Sequence, residues 1–126
     1  MTEGMVRLTV MLIDKSPLVC QRLHSSLSTI DGVYVLAKLH EAANALEVAA
    51  RLAPDVVILD PSLNGSDGRL VLENLRARVP RTKVLVLTTD CSPSNRVRFL
   101  SAGAYACMDK ALELDVLKAL IAQLRN

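Results

Sequence analysis

The chain has 126 residues, 15 Lys and Arg against 13 Asp and Glu, and is 51% hydrophobic and 22% charged. That length suits one domain with its own core, and the composition excludes a disordered or fibrous chain. A net charge of +2, with only Tyr34, Phe99 and Tyr105 as aromatics, offers neither an electrostatic footprint nor a stacking platform for nucleic acid.

Leu8 to Ile13 is a short apolar run that stops at Asp14 and predicts a buried strand. Ser16-Pro17 supplies an N-cap and a proline at the first helical position, so a helix follows to about Thr29. After the Asp31-Gly32 turn, Val33 to Ala37 predicts a second strand. Ala42 to Leu52 predicts a helix, ended at Pro54. Val56 to Leu59 predicts a third strand, stopping at Asp60. Asn64-Gly65 and Asp67-Gly68 are loop signals, and Leu70 to Val79 predicts the next helix. Lys83 to Leu87 predicts a fourth strand. Ser92-Pro93 repeats the cap device and opens a helix through Leu100, closed at Gly103. Ala104 to Met108 predicts a fifth strand. Leu114, Leu117, Leu120, Ile121 and Leu124 form the apolar stripe of a last helix.

Five apolar strands alternating with five helices predict an α/β fold. The sheet is parallel, covered on both faces and doubly wound, in the flavodoxin-like order 2-1-3-4-5. Sites in such sheets lie at the carboxyl ends of the strands, at the switch in strand order. Asp14-Lys15, Asp60, Thr88-Thr89-Asp90 and Asp109-Lys110 sit there, so their tips converge on one crevice. Pro61 follows Asp60, which makes Asp60 a poor candidate for a helix cap. An exposed carboxylate in that setting suits a ligand of a hard divalent cation or a nucleophile toward phosphorus. The turn after the first strand has no glycine-rich phosphate cradle, which excludes dinucleotide and P-loop readings. His24 and His40 read as surface or packing residues away from the crevice. Arg76, Arg78, Arg81, Lys83, Arg96 and Arg98 read as solvated faces. Cys20, Cys91 and Cys107 follow no metal-binding spacing and read as buried thiols in a reducing compartment. The N-terminus has no basic segment ahead of its apolar run, and that run is too short to span a bilayer. Cytoplasm is therefore the expected location, with no membrane partner.

From about residue 7 to 124 these residues resemble the receiver domain of two-component response regulators, and most closely the NarL/FixJ type. The resemblance is carried by Asp14-Lys15-Ser16-Pro17-Leu18-Val19, by Pro54 to Asp60, by Ala102-Gly103-Ala104, and by the spacing from Asp60 through Thr88 to Lys110. It implies that Asp60 is the phosphate acceptor and Asp14 the first of two acidic residues after the first strand. It implies that the Ser62 backbone carbonyl completes a Mg²⁺ shell with Asp14 and Asp60. Thr88 would be the switch hydroxyl and Lys110 the lysine that pairs with the phosphoryl oxygens. A histidine kinase would be the phosphoryl donor. The whole chain, 1–126, would be one receiver domain, with any DNA-binding effector domain outside it.

Departures from the family pattern change that expectation. Lys15 takes the second acidic position, so Asp14, Asp60, Lys15 and Lys110 sum to zero formal charge instead of −2. The ammonium of Lys15 is expected at the metal position, paired with Asp14 and Asp60; the alternative is that it swings out to water. Cys107 replaces the aromatic switch residue, Thr89 is larger than the usual small residue, and Asn64 replaces a loop proline. Mg²⁺ binding is accordingly expected to be weak and phosphorylation of Asp60 weakened or lost. The domain would then act as a dimerisation and interaction switch of a transcription regulator, as a homodimer and not as an enzyme. A conventional phospho-accepting receiver is the alternative, and a hydrolase with Asp60 as nucleophile the third reading.

Overall fold

The computed structural model describes residues 7–63 and 67–126. Its elements are β1 (Leu8–Ile13), α1 (Pro17–Leu27), β2 (Val33–Leu39), α2 (Ala45–Leu52), β3 (Val56–Leu59), α3 (Gly68–Arg78), β4 (Lys83–Thr88), α4 (Pro93–Ser101), β5 (Ala106–Asp109) and α5 (Leu114–Arg125). The five strands are parallel in the order β2-β1-β3-β4-β5, as the alternation predicted. Among the described residues, no helix is long and apolar enough to cross a membrane.

Successive side chains on a strand face opposite sides of the sheet, and the core divides accordingly. Leu8, Val10 and Leu12 of β1 join Val56 and Ile58 of β3 and Leu85 and Leu87 of β4 on one face. There they pack on Leu23 and Leu27 of α1 and on Leu117 and Ile121 of α5. Met11, Ile13, Val57, Leu59, Val84 and Val86 line the other face, under Ala49 of α2, Leu72 and Leu75 of α3 and Phe99 of α4. Each fully buried Leu or Ile contributes about 1.5–3 kcal/mol relative to exposure. Both faces are covered, which is why the central strands read as unbroken apolar runs.

Both predicted Ser-Pro caps form: Ser16 Oγ accepts from the Val19 N–H at 3.2 Å, and Ser92 Oγ from the Asn95 N–H at 3.4 Å. Element ends differ from the pattern where tertiary contacts intervene. β2 runs to Leu39, because Lys38 and Leu39 keep pairing with Leu12 and Ile13. It is an edge strand with alternating exposure, so the polar Lys38 does not end it. α2 begins at Ala45 instead of Ala42; the Ala42 carbonyl is spent on a turn to the Ala45 N–H at 3.1 Å. β5 starts later than predicted, at Ala106. α3 begins at Gly68, inside the segment read as loop, because Asp67 caps it by accepting from the Arg69 N–H at 3.0 Å. A glycine is required there: a Cβ on Gly68 would sit 2.2 Å from the Pro61 carbonyl oxygen. The first turn of α3 thus packs on the residue that follows Asp60. The predicted Asn64-Gly65 loop and the loop-proline replacement at Asn64 lie outside the described residues.

α2 ends on Ala53, an exposed residue in the left-handed region at φ 47°. That conformation costs a non-glycine residue about 1–2 kcal/mol, partly offset by the lower chain entropy of alanine when unfolded. Ala53→Gly should therefore raise the unfolding free energy by about 0.5–1 kcal/mol, measured by urea denaturation at neutral pH.

Candidate functional site

Asp14 and Asp60 directly follow β1 and β3, whose ends pair Ile13 with Leu59. Backbone bonds hold both positions: the Asp60 N–H donates to the Ile13 carbonyl at 2.9 Å, and the Asp14 N–H to the Leu39 carbonyl at 2.9 Å. Both carboxylates are buried, each residue 3% exposed. Asp60 is therefore not the exposed carboxylate that its place after a strand suggested. Lys110 approaches from β5. Thr88 lies opposite Asp109 in the register of β4 and β5, and the Lys110 N–H donates to the Thr88 carbonyl at 2.8 Å.

That placement puts one ammonium between two carboxylates. Lys110 Nζ lies 2.6 Å from Asp14 Oδ2 and 2.7 Å from Asp60 Oδ2. The other oxygens are also engaged. Asp14 Oδ1 accepts from the Ser16 N–H at 2.9 Å. Asp60 Oδ1 accepts from the Ser62 N–H at 2.9 Å and from Ser62 Oγ at 2.8 Å. Burial on its own would raise the Asp60 pKa. The hydrogen bonds from Lys110 and Ser62 outweigh it and hold the carboxyl below its ordinary value. Burial would likewise lower Lys110, but its bonds to Asp14 and Asp60 hold it above the ordinary lysine value. Asp60 and Lys110 are therefore both charged at neutral pH, and Asp14 is the second partner of the ammonium.

The expected seat of Lys15 is thus filled by Lys110. Lys15 is exposed and forms no ion pair among the described residues. The cause is local: Lys15 leads into α1 on a flexible stem, whereas Lys110 is anchored by its backbone at the strand end. Exposure also weakens the repulsion expected from Lys15. At 4 Å in bulk water two unit charges interact by about 1 kcal/mol, against about 4 kcal/mol at an effective dielectric near 20. Among the described residues the crevice brings together two carboxylates, Asp14 and Asp60, and one ammonium, Lys110.

Thr88 is buried at the same rim, and its Oγ1 accepts from the Asp90 N–H at 3.1 Å. Thr89 beside it is exposed. Cys107 lies on β5 opposite Val86, buried in the α4 side of the core. Sequence reasoning missed two neighbours. His40, read as distant from the crevice, places Nδ1 3.0 Å from the Asp14 carbonyl and braces that strand end. Arg96, read as part of a solvated face, bonds the Cys107 carbonyl and pairs with Glu113 at 3.1 Å, tying α4 to the start of α5. Arg76 similarly donates to the Pro80 and Thr82 carbonyls at 3.0 and 2.9 Å. The long reach of arginine leaves no periodic signal that would have marked these bonds.

A hard dication fits this site in part. Asp14 and Asp60 present two facing carboxylates, and Mg²⁺ is commonly held by one or two of these with water completing the shell. Among the described residues no three acidic, His or Cys side chains gather to hold a metal.

The family model of the response regulator receiver domain matches residues 10–122. The nitrate/nitrite response regulator protein homolog of Haemophilus influenzae is 31% identical over 111 residues, covering 88% of this chain and 53% of that protein. The chain spans about half the length of the curated relatives it matches. The signal receiver domain of the response regulator NarL from Mycobacterium tuberculosis superposes with a TM-score of 0.80 at 26% identity, covering 94% of this chain and 92% of that one. A response regulator from Burkholderia pseudomallei, solved with a phosphorylated aspartic acid, calcium ion and citrate, gives a TM-score of 0.80 at 21% identity, covering 94% and 68%.

Removing the shared cation leaves two buried carboxylates facing each other. Lys110→Ala should cost about 3 kcal/mol at pH 7, read from urea midpoints. The Asp60 pKa is depressed in the folded state, so its contribution is present above the unfolded value of 3.8 and is lost as pH falls below it. The gap between wild type and Lys110→Ala should accordingly shrink as pH is lowered through 4 and below.

Proposed function

Because the chain belongs to the response regulator receiver domain family, we propose that it is an atypical receiver whose Mg²⁺-dependent phosphorylation at Asp60 is weakened. One observation carries this reading. Among the described residues two carboxylates, Asp14 and Asp60, meet at the crevice, both held by Lys110, while the second acidic position after β1 is the exposed Lys15. In this reading Asp14, Asp60 and the Ser62 backbone carbonyl would hold a dication, which when bound would offset charge on an incoming phosphoryl group. The donor set is short by one carboxylate, and each metal contact competes with Lys110 for the same oxygens.

The chain's own residues supply the rest. Asp60 is ionised and fixed by Ser62 through Oδ1, which leaves Oδ2 to attack the phosphorus of a phosphodonor once Lys110 shifts, breaking the donor's bond to phosphorus and releasing the donor as the leaving group. Lys110 then pairs with phosphoryl oxygens instead of Asp60, and the buried Thr88 hydroxyl turns toward them. In the resting state the ammonium already neutralises half of the buried charge. The domain accordingly works as an interaction and dimerisation switch in a transcription regulator, with DNA contacts made by an effector domain outside this chain. In this reading it is a signalling module and not an enzyme, as befits a receiver domain.

A second reading is favoured by the low Asp60 pKa and by Thr88 and Lys110 standing at the rim. In it, the chain is a conventional receiver phosphorylated on Asp60 by a histidine kinase. The two separate on one comparison. Wild type should bind Mg²⁺ only above ordinary millimolar levels and form little adduct with acetyl phosphate, followed by intact-protein mass. Lys15→Asp should tighten Mg²⁺ at least tenfold, about 1.4 kcal/mol, and raise adduct yield in parallel. Rapid, durable adduct on Asp60 in the wild type would instead establish the conventional switch.

A further inference from the structure

Cys91, in the loop between β4 and α4, and Cys107, in β5, bring their Sγ atoms to 3.7 Å. That is van der Waals contact between two thiols, about 1.7 Å beyond disulfide bonding length. Cys107 is buried under α4 among Phe99, Val86 and Leu59. Cys91 is half-buried at the surface of that cluster, so a reagent from solvent meets it first. The loop and the strand already converge here. Cys91 Sγ points at the Cys107 carbonyl, 3.7 Å away, and Arg96 of α4 donates to the same carbonyl. The third cysteine, Cys20, lies in the cluster on the opposite face of the sheet.

We propose that Cys91 and Cys107 form a reversible dithiol–disulfide site, oxidised by a small disulfide of the glutathione type. The Cys91 thiol loses its proton to solvent, and its thiolate attacks one sulfur of the oxidant. One small thiolate is released, and Cys91 is left as a mixed disulfide. Cys107 then gives up its proton and attacks the Cys91 sulfur, displacing the second small thiolate. The chain loses two protons and two electrons, and the oxidant leaves as two thiols. Burial, with the Cys91 thiol beside it, pushes the Cys107 thiol up to about 12, which makes Cys107 the resolving sulfur and the second step the slow one. The bond closes a ring of chain that contains the whole of α4. It pins the β4–α4 loop to β5, next to the strand ends that carry Thr88 and Lys110. Oxidation would thereby restrain the same segment that the Asp60 crevice adjoins, by a route that needs no phosphoryl group.

The test incubates the native chain with oxidised glutathione, alkylates free thiols and maps cysteine peptides by mass. The expected product joins the Cys91 and Cys107 peptides, about 2 Da below their sum. It should be reversed by dithiothreitol, with Cys20 recovered alkylated. Cys107→Ser should stop at the mixed disulfide on Cys91, and Cys91→Ser should leave Cys107 reduced. If Cys107→Ser does not fold, the half-buried Cys91→Ser and the wild-type map decide. A wild type left with three free thiols, a lasting mixed disulfide on Cys91, or a bridge that includes Cys20 would overturn the proposal.

Discussion

One ammonium shared by two buried carboxylates organises the carboxyl end of this sheet. Taking Asp14, Asp60 and Lys110 out of water carries a large desolvation cost, and the trio is tolerable only because every charge meets its opposite at hydrogen-bond distance. The remaining carboxylate oxygens accept from Ser16 and Ser62, so each of the four oxygens has a donor. The arrangement couples three strands. β1 and β3 deliver the acids side by side, and β5 delivers the cation through a backbone bond to β4. Any event that draws Lys110 away must supply positive charge to the two carboxylates or new negative charge to the lysine. A metal ion would do the first and a phosphoryl group the second.

The consequences extend to the α4 side of the molecule. Arg96 holds the Cys107 carbonyl and Glu113, and Glu113 in turn accepts from the Asp109 N–H at 2.9 Å. The residue before Lys110 is thus bonded to the N-cap residue of α5, which is linked to α4. Leu112 and Val97 are broadly exposed beside this network, 84% and 64%. Movement at Lys110 therefore has a hydrogen-bonded path to a surface that carries exposed apolar side chains. The paired thiols sit on the same path, between the β4–α4 loop and β5. Phosphoryl and redox chemistry would act on one connection from its two sides.

Most of the architecture was legible before any coordinates. Buried parallel strands announce themselves as runs such as Val56-Val57-Ile58-Leu59, because both faces are covered and no polar position is tolerated. Ser16-Pro17 and Ser92-Pro93 marked helix starts through local hydrogen-bond chemistry. Strand ends then located Asp14, Asp60, Thr88 and Lys110 in one crevice. The errors fell where local pattern and tertiary contact disagree. Lys38 interrupts the apolar run but not the pairing of an edge strand. Gly68 reads as a loop residue, yet it opens a helix because Pro61 leaves no room for a side chain.

Chain pattern alone determined the alternation of strands and helices, the strand order that follows from right-handed crossovers, and the set of polar residues at the strand ends. All of these rest on periodicity and chain stiffness, which act over a few residues. Which lysine enters the acidic crevice was a tertiary decision. Lys15 and Lys110 both follow buried strands, but only Lys110 is aimed by the β4–β5 register and the Thr88 carbonyl, while Lys15 keeps the freedom of a solvated stem. The burial of Asp60, the brace from His40 and the meeting of Cys91 with Cys107 were decided the same way. Each depends on residues distant in sequence meeting in the fold, and no local spacing encodes that distance.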